Sequence, residues 1–165
     1  MNKTLLLNLN NNAMNQLQSQ INELESYIDK HELKKESVSN STVAWQIEHS
    51  LLTLNMIINA VKKSNPNEYK WSLNMNRILV MTILKKIPRG RAKAPKIVQP
   101  TENISIESLK NHIEKARENI LLLNGFEKNN YFEHPFFGKL NLKPTIKFLG
   151  IHTNHHLEII RDIVK

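Results

Sequence analysis

Leu149-Gly150-Ile151-His152-Thr153-Asn154-His155-His156-Leu157-Glu158-Ile159-Ile160 is the stretch on which the reading of this chain turns. Its spacing predicts a helix from residue 144 to near residue 163. Proline is tolerated in a first turn, and neither proline nor glycine interrupts the last two turns. His152 and His156 are four residues apart, so their rings stack along one face. At roughly 100° per residue, Leu149, Ile159, Ile160 and Ile163 share that face. His155 lies a further step round, toward the rim. Two imidazoles inside an apolar stripe are costly unless something pairs with them. Two partners suit them: hydrogen-bond acceptors in an ordinary core, or a divalent metal, to which an i, i+4 pair offers two nitrogens at once. A metal site needs at least a third ligand from elsewhere in the chain.

Composition narrows the choices. At 165 residues, 40% apolar and 23% charged, the chain is long enough for one ordinary globular domain, spanning residues 1–165. It has no cysteine, which excludes disulfides and thiolate-bound metal; a site must draw on His, Asp or Glu. The Leu-rich start is broken by Asn8 and Asn10 and lacks a small-residue cleavage site, so no signal peptide is expected. No apolar run approaches the ~20 residues of a membrane span. The expectation is a soluble, cytoplasmic protein without a membrane partner. The formal charge of +8 is concentrated in Lys85-Lys86-Ile87-Pro88-Arg89-Gly90-Arg91-Ala92-Lys93-Ala94-Pro95-Lys96, which holds six cations and no acid. A basic excess suits nucleic acid or an anionic membrane surface. Here the absence of interleaved aromatics argues against base stacking, and a solvated loop after a helix C-terminus is the simpler reading.

Going outward from the final helix, the rest of the chain also reads as helical. Leu17, Ile21, Leu24 and Ile28 form one amphipathic face of a first helix over residues 10–35, with the asparagines at 8–12 as its start. A second helix is expected over residues 42–63, capped by Ser41 or Thr42. It is apolar on two faces: Ile47, Leu51, Leu54, Ile58 and Val61 on one, and Trp45, Leu52, Met56 and Ala60 around His49 on the other. A two-faced helix is central or lies at a subunit interface. His49, beside a tryptophan, is the candidate third ligand. A short third helix runs from about residue 72 or 76 to residue 86 and stops before Pro88. An irregular stretch, residues 88–103, follows. A fourth helix is expected over residues 105–124, capped by Ser105 and closed by Gly125; His112 on its inward stripe is a potential extra ligand but reads more readily as a core or boundary residue. No alternating strand runs, phosphate loop or internal repeat is visible. The fold class is all-α: four long helices, a shorter one and long connections.

Three pieces then share a pattern: Trp45-Gln46-Ile47-Glu48-His49-Ser50-Leu51, His134-Pro135-Phe136-Phe137-Gly138-Lys139-Leu140, and His152-x-x-x-His156-Leu157. Together they resemble the DinB-like superfamily of metal-binding four-helix bundles, and most closely a subfamily carrying the His-Pro-Phe-Phe-Gly segment. The resemblance covers the chain from about residue 41 to its end. It implies a DinB-like four-helix bundle in which His49, His152 and His156 hold one divalent cation (zinc, nickel or similar) in a cleft at one end. It further implies a metal-dependent enzyme, a thiol-dependent S-transferase or a hydrolase, acting on a low-molecular-weight thiol or other small molecule, and a homodimer. The alternative is a non-enzymatic metal-binding or stress-response dimeric module. His134 and His155 are the weaker candidates for catalytic proton carriers, since imidazole titrates near neutral pH. Gln46, Glu48 and Thr53 are close enough in sequence to accept a hydrogen bond from a ligating ring.

Overall fold

The computed structural model describes residues 3–90, 95–101 and 103–165, with side chains from residue 12 onward. The chain is mostly helical. Helix α1 spans Lys3–Ser26, α2 Val43–Lys63, α3 Met75–Ile78, α4 Ile106–Leu122 and α5 Leu142–Val164; strands β1 (Tyr131–His134) and β2 (Gly138–Asn141) form one small antiparallel sheet. The four long helices close a ring: α1 packs on α4 and α5, and α2 packs on the same two. Leu17, Ile21 and Leu24 of α1, Ile47, Leu51, Leu54 and Ile58 of α2, Leu109, Ile113 and Ile120 of α4, and Leu157 and Ile160 of α5 meet inside it, all essentially inaccessible. Each such side chain contributes about 1.5–3 kcal/mol on leaving water.

The helix boundaries have local causes. Thr42 Oγ1 accepts from the Trp45 amide (3.2 Å) and Ser105 Oγ from that of Ser108 (3.0 Å), so α2 and α4 start at the expected caps. Helix α1 is displaced. Its backbone begins at Lys3, so the asparagine cluster lies within it, and residues 8–11 of that cluster fall outside the described side chains. It ends at Ser26 rather than near residue 35, because Ser26 Oγ turns back onto the Glu23 carbonyl (2.8 Å) and a 3₁₀ turn, Ile28–Lys30, takes over. Helix α3 continues as a π-helix, Leu79–Leu84, and stops at Lys85, whose φ of 51° is left-handed. The stop thus comes before Pro88 does anything. Residues 91–94 of the basic stretch lie outside the described residues; beyond them, Lys96–Val98 forms a 3₁₀ turn.

The hairpin corrects the expectation of a chain without strands. Each strand has four residues, and only Phe132 and Leu140, which face each other, point firmly inward. Alternation over so short a run gives no periodic signal. Gly138, at φ 66°, provides the left-handed step that lets the chain reverse. Buried Asn130 anchors the hairpin to the end of α2: its amide donates to the Ser64 carbonyl (3.0 Å) and hydroxyl (3.1 Å), and its carbonyl accepts from the Glu127 amide (2.7 Å).

Asn130→Ala leaves those backbone groups unpaired in a dry place. It should destabilise the fold by about 1–3 kcal/mol, whereas Asn129→Ala, at an exposed neighbour, should change stability little. Urea unfolding of both variants checks this, and equal midpoints would remove the anchoring role.

Candidate metal centre

Because α2 and α5 pack side by side, they bring three imidazoles together. His49 lies 4.7 Å from His156 and 5.3 Å from His152, centroid to centroid, and the two α5 rings are 4.7 Å apart. One potential ligand atom from each lies within 4.8 Å of the other two. With metal–nitrogen bonds of about 2.0–2.1 Å, two donors on one tetrahedral ion stand roughly 3.4 Å apart. The donor atoms thus stand up to 4.8 Å apart, somewhat wider than a loaded site requires. No carboxylate joins this group among the described residues.

The hydrogen bonds behind the rings fix what they present. His49 Nδ1 sits 2.7 Å from the Val98 carbonyl oxygen. A carbonyl only accepts, so this nitrogen carries the proton and Nε2 keeps its lone pair. His156 Nδ1 sits 2.7 Å from Gln46 Oε1. The Gln46 amide nitrogen donates in turn to Ser39 Oγ (3.1 Å), which also accepts from the Ser41 amide (3.1 Å), and this turns the Gln46 oxygen toward His156. Both rings are thus Nδ1–H tautomers with free Nε2 lone pairs, the arrangement a ligating histidine adopts.

Electrostatics points the same way. Burial lowers the pKa of His49, against the raising effect of its bond to Val98. Burial pushes His152 and His156 well below the ordinary imidazole value, and neighbouring histidines push them further. All three rings are neutral near pH 7. The cluster therefore offers lone pairs without first shedding protons, and a divalent cation would offset the cost of keeping them dry. The residues present fit such an ion.

Aromatic groups enclose the cluster. Trp45 stacks on His49 at 4.9 Å and 15°, and Phe148 lies 5.7 Å from His152. His134, on the hairpin, stacks on Phe137 (4.3 Å) and meets Phe148 edge-on (4.8 Å). Its Nδ1 accepts from the amides of Phe136 (3.1 Å) and Phe137 (3.3 Å), so its proton lies on Nε2. Burial lowers its pKa to about 4. His134 is thus a fixed neutral donor outside the group of three. His155 packs against the edge of His156 at 5.1 Å and is half-buried; burial lowers its pKa, with nearby Arg89 adding to the effect.

No family model, curated protein or solved structure matches this chain.

The other sequence candidates are placed as follows. His112 does not join the three; its Nδ1 lies 2.9 Å from the carboxylate of buried Glu48, and that pair links α4 to α2. Glu48 is thereby engaged away from the cluster. Of the three acceptors considered for the ligating rings, only Gln46 serves one; Thr53 Oγ1 is buried with no hydrogen-bond partner. Sequence reasoning missed Val98. A main-chain carbonyl leaves no trace in residue identity, and Val98 arrives from the irregular stretch after Pro95. The pairing of Gln46 with His156 could have been sought, since Gln46 lies one turn before Ser50 on the helix of His49 and points toward α5.

His134 gives a pH prediction with a definite sign. Its folded pKa of about 4 lies below the model-peptide value of 6.5, so the unfolded chain binds more protons between those limits. Its contribution to stability is complete above pH 6.5 and is lost as the pH falls toward 4. His134→Asn, which keeps an acceptor but does not titrate, should unfold with a weaker pH dependence across that window in metal-free buffer. An unchanged dependence would contradict this assignment.

Proposed function

We propose that this protein is a metal-dependent enzyme of the DinB-like kind, with His49, His152 and His156 as the ligands of one divalent cation. The observation that carries the reading is the convergence of three neutral rings, two of them locked with Nδ1 protonated by acceptors behind them. The ring of four long helices suits the DinB-like four-helix bundle. Three histidines leave coordination positions free, as catalytic sites do. A cation held there supplies Lewis acidity, lowering the pKa of a thiol or water brought to it.

The chain's own residues then have distinct tasks. Val98 and Gln46 keep the proton of each ring on the outer nitrogen and hold the ring orientation. Trp45, Phe148 and Phe137 shield the cluster from water and offer an apolar surface to a small substrate. His134, fixed as an Nε2–H donor, hydrogen-bonds a developing negative charge on that substrate. The reaction class is thiol S-transfer or hydrolysis, and the half-buried face of α2 around Leu52, Met56 and Ala60 suits a homodimer contact. A dimer that binds metal without turnover is the competing reading.

Elemental analysis of purified variants tests the ligand set. His49→Ala and His156→Ala should each lose stoichiometric divalent metal, and His155→Ala should largely keep it. Equal metal content in all three would reject the assignment. A screen of the metal-loaded protein with bacillithiol, mycothiol, glutathione or cysteine and an electrophile, following thiol loss, tests the chemistry. Turnover that disappears in His49→Ala supports thiol transfer; no turnover with any thiol moves the reading to hydrolysis or to the non-enzymatic dimer.

A further inference from the structure

The face opposite in character to the histidine cluster is built by α3, its π-helical extension and the hairpin turn. Met75, Leu79 and Ile83 recur every four residues and are exposed (69%, 45% and 66%). Trp71 (68%) and Leu73 (66%) extend the patch on the approach to α3. Phe136 joins it from the hairpin, held there because its carbonyl accepts from Asn74 Nδ2 (3.0 Å). Large exposed apolar side chains gathered on one short segment are of the kind that marks an interaction site, and Arg77 lies over the Trp71 ring (5.8 Å).

The charge around the patch says what it meets. From residue 69 to residue 90 the chain carries Lys70, Arg77, Lys85, Lys86 and Arg89 and no carboxylate. A groove of about 580 Å³ runs along the other side of the same helix, between α1 and α5. Ile78, Met81, Ile146 and Ile151 give it apolar walls; Lys85, Lys143 and Lys147 give it charge, and no acid lines it. None of these three lysines has an ion-pair partner among the described residues. Lys143 lies in the first turn of α5, where the helix dipole is already positive and a lysine costs stability. Glu133, the carboxylate of the hairpin, stands opposite Lys139 in the ladder.

We propose that this face, with Trp71, Leu79 and Ile83 at its centre and Lys70, Lys85 and Lys86 flanking it along the chain, docks on an anionic phospholipid bilayer. Aliphatic side chains and a tryptophan beside unpaired lysines suit a headgroup layer, where the ring and apolar tips enter the interface and the lysines meet lipid phosphates. A second copy of the chain would bring the same unpaired cations against these. A nucleic-acid backbone would use the lysines but leave the aliphatic stripe exposed. Among the described residues no helix is long and apolar enough to cross a membrane, and the contact proposed is a peripheral one. The proposal does not depend on the metal site.

Flotation of the 165-residue chain with vesicles tests it. Binding is expected to equimolar phosphatidylcholine and phosphatidylglycerol, and not to phosphatidylcholine alone. Trp71→Ser/Leu79→Ser/Ile83→Ser changes only exposed positions and should weaken binding at least tenfold while leaving the unfolding midpoint and metal content intact. Lys85→Gln/Lys86→Gln should weaken it roughly twenty-fivefold, since each lysine near an anionic surface is worth about fivefold. Four results would each overturn the proposal. They are no binding at low salt, equal binding to neutral vesicles, loss only in the lysine variant (simple electrostatic adsorption), or dissociation of a dimer into monomers by the serine variant. Preferential binding to a random-sequence oligonucleotide, retained by the serine variant, would reassign the face to nucleic acid.

Discussion

The two short hydrogen bonds behind the rings of His49 and His156 are the constraint on which the rest of this structure depends. An imidazole has one proton to place when neutral, and an acceptor at 2.7 Å decides where it goes. With Val98 and Gln46 taking the outer protons, the inner lone pairs have no protein donor to satisfy them. A lone pair without a donor in a poorly hydrated place is unfavourable, and two facing each other are more so. The fold nevertheless concentrates them: two helices distant in sequence pack so that the rings meet, with Trp45 against His49 and Phe148 beside His152. Such an arrangement is costly for a mere core and economical for a ligand shell.

The outer acceptors also tie the site to the connections. Val98 belongs to the stretch between α3 and α4, and Gln46 is held by Ser39 in the loop before α2. The rings therefore sense segments that the helical core alone does not position. The hairpin does something similar on another side: Asn130 pins it to α2, and its turn delivers His134 and Phe137 toward Phe148. The chemistry of the cluster is thus framed by the irregular parts of the chain, while the helices provide rigidity.

This division explains what was legible in the sequence. The inward stripes of α2, α4 and α5 were readable because helical periodicity is repeated over many residues, and so were the caps at Thr42 and Ser105. The i, i+4 pair on α5 announced itself, and His49 followed from its place beside Trp45 on a second apolar face. The early end of α1, the π-helical run Leu79–Leu84 and the four-residue strands were not readable. Each is decided by a single hydrogen bond or by tertiary contacts, and none lasts long enough to set up a period. Val98 was invisible for a different reason: its contribution is a carbonyl that every residue type possesses. His112, read as core or boundary rather than ligand, proved to pair with Glu48.

The most direct test reads the histidine nitrogens themselves. Long-range proton–nitrogen correlation spectra of the metal-free protein at pH 7, followed through a zinc titration, report each ring's tautomer and which nitrogen meets the ion. The account predicts Nδ1–H tautomers for His49 and His156 and an Nε2–H tautomer for His134 before zinc. It then predicts loss of the free-nitrogen signals of His49, His152 and His156 at one equivalent, with His134 unchanged. Charged rings before zinc, the opposite tautomers, or zinc engaging a different set of histidines would contradict it.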